Sequence, residues 1–214
     1  FSVGVDRELG RRLAVAMAYV RKDGANFIGW TDVGGQYVEK PYPLPDGSIL
    51  PVFDLVTLPR DRRFLLTNQD GYEMTYNGLV MVVEKRRSHG WQAFGSYTLS
   101  RTSGLQPSSG TTASGAQVST IAPSLIFGRD PNDLTNAHGR LPSDRPHAFR
   151  AMGSVEVPRT GMVIAASMQY FSGKPWAGTA QIALPQGDQR ILLEPRGSRR
   201  LSSQTLIDVR VSRP

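Results

Sequence analysis

The chain has 214 residues, of which 39% are hydrophobic and 20% charged, with 22 glycines and 15 prolines. That balance suits one folded domain and excludes collagen and low-complexity disorder. Its longest apolar run, Leu13 to Val20, falls well short of the roughly 18 to 20 residues that a spanning helix needs, so a helical membrane protein is excluded and strands remain open.

With no cysteine, there is no disulfide scaffold, no thiolate zinc site and no cysteine nucleophile. The net charge of +7 is scattered in pairs and triplets, at Arg11-Arg12, Arg60 to Arg63, Lys85 to Arg87 and Arg199-Arg200. A nucleic-acid partner would need that charge gathered on one surface, and none is expected. The chain opens on Phe1, without an initiator Met or a signal segment, inside a pattern that already alternates like a strand. It is therefore expected to be a piece of something longer.

Period-two alternation dominates and comes in pairs of segments joined by short turns. In the first pair Phe1, Val3 and Val5 alternate with Ser2, Gly4 and Asp6; after a Gly10-Arg11 turn, Leu13, Val15, Met17 and Tyr19 alternate with alanines. Propensity alone would also allow a helix over Arg12 to Arg21. In the second pair Leu79, Met81, Val83 and Lys85 lead to a turn at Ser88-His89-Gly90, and the chain returns through Trp91, Ala93, Gly95, Tyr97 and Leu99. The third runs from Phe149 to Val157, turns at Pro158 to Gly161, and returns from Met162 to Tyr170. A last strand spans about Thr205 to Ser212, which brings the count to about seven.

Between the pairs lie long segments rich in Gly, Pro, Ser, Thr, Asn and Asp, roughly 22–74, 103–146 and 173–203. The stretch Gln106 to Thr112 reads as a loop tip, and Val52 to Leu58 is the best candidate for an added strand. Strands of about ten residues joined alternately by short turns and long loops fit an outer-membrane barrel, in which hydrocarbon forces a spanning sheet to close on itself. On this reading Leu79, Met81, Val83, Ala93, Gly95 and Leu99 face lipid. Glu84, Gln92, Ser96, Thr98, Arg150, Glu156 and Gln169 face the lumen, and Tyr19, Trp91, Tyr97 and Tyr170 suit the membrane interfaces. A soluble β-sandwich alternates in the same way with its apolar face inward, and periodicity alone does not separate the two.

The stretch YNGLVMVVEKRRSHGWQAFGSYTLSRTSG, Tyr76 to Gly104, resembles the barrel hairpin of TonB-dependent receptors of the Oar-like kind, which often carry an N-terminal carboxypeptidase-regulatory-like domain. FGRDPNDLTNAHGRLPSDRPHAFRAMGSVEVP, Phe127 to Pro158, is similar to the loop and strand that follow there, and SGKP at Ser172 to Pro175 and LIDVRVSRP at Leu206 to Pro214 also fit. The resemblance implies an all-β fold of antiparallel up-and-down strands, part of a plugged barrel of about 22 strands. It implies that residues 1–214 are a partial outer-membrane barrel domain, without plug, N-terminal domain or final strands. Implied partners are outer-membrane lipid, lipopolysaccharide, an unknown large substrate, and the TonB complex through N-terminal parts outside this chain.

No enzyme is expected. There is no G-x-S-x-G elbow, and His89, His138 and His147 lie in a turn or loop regions without evident partners. Asp130, Asn132 and Asp133 begin like a calcium loop, but the spacing does not reach a bidentate Glu, so they read as turn-forming residues. Asp144-Arg145-Pro146-His147 reads as the start of a strand, since Pro146 cannot donate to a ladder. Arg60, Arg62 and Arg63 are candidates for contact with lipopolysaccharide, while Trp176 and Tyr170 suit interfacial anchoring. No cofactor or metal is expected. Competing readings are a passive porin-like or adhesin barrel and a secreted soluble carbohydrate-binding β-sandwich.

Overall fold

The computed structural model describes residues 1–10, 12–105 and 127–213, so the expected loop tip at Gln106 to Thr112 lies outside the described residues. In chain order the strands are β1 (Ser2–Glu8), β2 (Leu13–Gly24), β3 (Ile28–Asp32), β4 (Tyr37–Pro43), β5 (Ile49–Leu55), β6 (Phe64–Asn68), β7 (Glu73–Ser88) and β8 (Trp91–Leu105). Then come β9 (Gly139–Arg140), β10 (His147–Val157), β11 (Met162–Phe171), β12 (Pro175–Trp176), β13 (Thr179–Leu184), β14 (Gly187–Leu192), β15 (Arg199–Arg200) and β16 (Gln204–Ser212). The segment Arg12 to Arg21, open to a helical reading, is strand from Leu13 on, as part of β2. Pairing with β1 on one side and β7 on the other overrides the helical preference of its alanines, leucine and methionine.

Seven long strands form one antiparallel sheet in the order β1-β2-β7-β8-β10-β11-β16, with the short β9 against β8. The β7–β8 hairpin closes on His89 and Gly90, both at positive φ (52° and 79°), as a two-residue turn matched to strand twist requires. Successive turns slide along the sheet. Ala14, where β2 begins pairing with β1, is registered with Glu84 and through it with Phe94; β8 continues three residues further to Trp91, and β10 passes Trp91's partner Val155 to end at Val157. This stagger is the shear of a sheet whose strands tilt around a barrel axis.

The ladders run in continuous register, so one face can be read straight across. Val5, Met17, Met81, Tyr97, Phe149 and Tyr170 form one row, and Val15, Val83, Gly95, Ala151, Met168 and Ile207 form the next. Nothing among the described residues covers this face: Val5 is 62% exposed, Val83 47% and Val209 66%. A sandwich would have buried these side chains under a second sheet.

The buried core lies elsewhere. Every buried hydrophobic residue among the described ones belongs to the long connections, and all but Leu55 and Leu141 fall in two clusters: Tyr72, Phe127, Ala137, Ala177 and Leu192; and Leu50, Val52, Ile182 and Ile191. These segments are thus a folded head with its own hairpins, β3–β6, β4–β5 and β13–β14, and a short β12–β15 pair. The strand expected at Val52 to Leu58 is β5, which starts at Ile49 and ends at Leu55. Its register opposite β4 sets Pro51 against Pro41, and alternation from Leu50 through Val52 to Asp54 turns that face into the head.

Candidate functional site

All seven residues expected to face the lumen share the face opposite the apolar rows. Ser96, Arg150 and Gln169 are direct cross-strand neighbours. Thr98 lies one step along, in register with Ala148 and Phe171, while Glu84, Gln92 and Glu156 gather toward the short turns. The Arg150 guanidinium stacks 5.4 Å from the Phe171 ring, and Arg145 lies 5.2 Å from the same ring. This face is mixed in character, because Val80, Val82, Phe94 and Met152 lie in the same rows. It is concave, with a hollow of about 960 Å³ lined by Glu84, Arg86, Gln92, Phe94, Ser167 and Asp208 among others.

Near the turns this face carries ion pairs that alternation had not singled out. Arg87 meets Glu156 at 2.5 Å, and Arg86 lies between Glu8 at 3.9 Å and Glu84 at 3.8 Å. All are exposed, so each adds little to stability.

On the apolar face the expected interfacial aromatics form two groups. Tyr19, Tyr97 and Tyr170 lie toward the long connections, where the Tyr97 hydroxyl and His147 Nδ1 are 2.7 Å apart. Trp91 lies toward the short turns with the Lys85 ammonium 4.6 Å above its ring. From His147 to Val157 is ten strand steps, about 33 Å at roughly 3.3 Å each, and a tilt near 40° reduces this to about 25 Å of height. That is the thickness of the apolar band on outer-membrane barrels.

The head is held by buried charge. Asp32 accepts hydrogen bonds from the Gly34, Gly35 and Arg63 main-chain N–H groups, from the Tyr37 hydroxyl at 2.7 Å and from Arg62 Nε at 2.9 Å. Burial pushes the Asp32 carboxyl up, but the donors outweigh it and hold the group at about 2. Arg62 also donates to the Arg129 carbonyl and faces Asp130 at 3.7 Å. Arg62 is therefore tied into the head; of the three arginines considered for lipopolysaccharide, Arg60 and Arg63 stay exposed.

Asp144, fully buried, is bonded by Arg200, by the Thr102 N–H and, at 3.6 Å, by Arg140, so it anchors the segment before β10. Pro146 lies just before that strand, as expected. Two of the three histidines do have partners: beside the His147 contact with Tyr97, His138 lies 3.3 Å from Glu73. Asp130 caps the short 3-10 turn Pro131–Leu134, accepting from the Asn132 N–H. Among the described residues no three His, Asp or Glu side chains gather as a metal site. Trp176 packs against Arg199, 5.2 Å away, within the head.

Residues 1–171 match the family model described as outer membrane beta barrel domain. A search of curated proteins finds no match. Among solved structures, the outer membrane transporter YddB from Escherichia coli superposes with a TM-score of 0.51 at 9% sequence identity, over 98% of this chain and 25% of that one. At that identity the likeness shows fold alone, and this chain spans a quarter of the transporter's length.

Proposed function

The chain belongs to the outer membrane beta barrel domain family and forms part of a barrel wall in the bacterial outer membrane, and on that premise we propose that it serves a TonB-dependent receptor of the Oar-like kind. In this reading the folded head binds a large nutrient outside the cell. The face bearing Ser96, Thr98, Arg150 and Gln169 lines the wet interior through which the nutrient passes, and the opposite face meets lipid and lipopolysaccharide. The chain contributes binding and gating surfaces, not a reaction. Free energy for gating enters from the energy-coupling complex through parts of the receptor outside this chain.

The observation that carries this reading is the division of labour within the fold. The sheet leaves its apolar face open across seven strands, while the long connections bury the molecule's core and present a shaped external surface. A passive pore needs the first feature but not a head of interlocked loops.

The test is cross-linking of the full-length polypeptide, in cells, to the energy-coupling protein of the inner membrane. A cross-link that strengthens when nutrient-containing medium is supplied is the expected result. A polypeptide that reaches the outer membrane and never cross-links is a passive barrel.

A further inference from the structure

The β3–β6 hairpin has two unlike faces. Gly29 lies so close to the Tyr72 ring that a Cβ there would run into it, which seats one face on the core of the head. Trp30 is registered with Leu66, and Phe64 shares their face by alternation; here Phe64 is 39% and Leu66 41% exposed. Across this second face lies the Arg129 guanidinium, 4.3 Å from the centre of the Trp30 ring and 5.0 Å from that of Phe64. We propose that Arg129, braced on Trp30 and Phe64, binds a carboxylate group of the nutrient, whose apolar part rests on Phe64 and Leu66. The proposal rests on the reading above, in which the head binds a nutrient, and names the chemical class that it takes.

The local sequence delivers the arginine to this place. Gly128, at a φ of 86°, passes so near β3 that a Cβ would collide with the Trp30 carbonyl oxygen, an approach open to glycine. The next residue therefore emerges beside Trp30, and Arg62 Nη2 donates to its carbonyl at 2.6 Å. Contact with the two rings fixes the guanidinium before a ligand arrives, so less freedom is lost on binding. Its Nε is closed off from solvent and has no hydrogen-bond partner, whereas Nη1 and Nη2 stay open to solvent. Among the described residues no carboxylate pairs with Arg129. Two free nitrogens in one plane match the two oxygens of a carboxylate. The surroundings favour a single negative charge over the two of a phosphate, because Arg62 adds no net charge: Asp32 at 2.9 Å and Asp130 at 3.7 Å offset it.

The experiment titrates the full-length protein in detergent with phenylacetate, phenylacetamide and phenyl phosphate, read by saturation-transfer NMR against empty micelles. Phenylacetate is expected to bind about tenfold more tightly than phenylacetamide, and Arg129→Gln to remove that preference. Arg129→Lys keeps the charge without the planar fork and should restore only part of it. Phe64→Ala should weaken acid and amide alike, and Arg190→Gln, exposed on β14, should change nothing. The ratio of acid to amide on the unmodified protein tests the site independently of how any variant folds. The proposal is overturned if the amide binds as tightly as the acid, if Arg129→Gln keeps the preference, or if phenyl phosphate binds more tightly than phenylacetate. Cross-linking of the same polypeptide in cells separates the two readings. An Arg129-dependent preference in a protein that never cross-links fails the receptor alone, and cross-linking without the preference fails the site alone.

Discussion

Asn132 grips the main chain of Phe53 with both ends of its amide, Oδ1 accepting from the N–H at 2.8 Å and Nδ2 donating to the C=O at 2.8 Å. The amide takes the place of a neighbouring strand along β5. Gln186 completes the edge, donating to the same Phe53 carbonyl and accepting from the Leu55 N–H. Three connections distant in sequence are thereby joined on two residues of β5. Asn132→Ala leaves the Phe53 N–H unpaired and its carbonyl to Gln186 alone, and is expected to cost the head about 1 to 3 kcal/mol. Hydrogen exchange at the Phe53 and Leu55 amides should quicken while the sheet amides stay protected.

The face assignment predicts an asymmetric charge scan. In the full barrel, Met81→Arg or Val83→Arg is expected to cost about 2 to 4 kcal/mol when the site lies near the bilayer midplane, and Thr98→Arg much less. Equilibrium unfolding from lipid vesicles measures both. Equal tolerance on the two faces would reverse the orientation of the sheet.

Asp32 gives the head an acid limit. Its carboxyl is held at about 2, below the ordinary carboxylate value near 4, so its contribution is full above about pH 4 and is lost as pH falls through about 2. Asp32→Asn should lose that pH dependence together with the stability it represents. Protease sensitivity of the β3–β6 hairpin as a function of pH reads it out.

Asp133 has the opposite sign. Burial, with Asp130 nearby, raises its carboxyl to about 6 against the hydrogen bond from the Gly128 N–H. The head is therefore expected to be tightest below the ordinary carboxylate value and to loosen as pH rises through about 6. Asp133→Asn should flatten this limb, and hydrogen exchange of the 127–137 amides at pH 5 and pH 7.5 measures the difference.

The buried carboxylate of Asp144 makes its two cations unequal to their removal. Arg200→Ala leaves Asp144 charged in a fully buried place, with Arg140 3.6 Å away as its remaining cation, and is expected to cost about 3 kcal/mol. The double variant Arg200→Ala with Asp144→Ala should recover part of this. A cycle in which the double change costs the plain sum of the single ones would mean that the pair is not coupled.

The sheet was legible in the sequence because a strand with one face in oil and the other in water must alternate, and alternation is a property of neighbouring residues. Leu79 to Lys85 and Trp91 to Leu99 announce their faces without reference to any other segment, and the two-residue turn between them fixes their register. Three of the six neighbour pairs in the sheet, β1–β2, β7–β8 and β10–β11, are hairpins on short turns, whereas β2–β7, β8–β10 and β11–β16 pair across the long connections. The head was hidden for the converse reason: its stability comes from meetings between residues far apart in the chain. Asn132 with the main chain of Phe53, Arg62 with Asp32 and Asp130, and Arg200 with Asp144 each depend on a polar side chain that, taken locally, looks like a turn former or solvated charge. Only folding in three dimensions removes water from those groups and so decides that they are core, because desolvation depends on what packs around a residue and not on its neighbours in the chain.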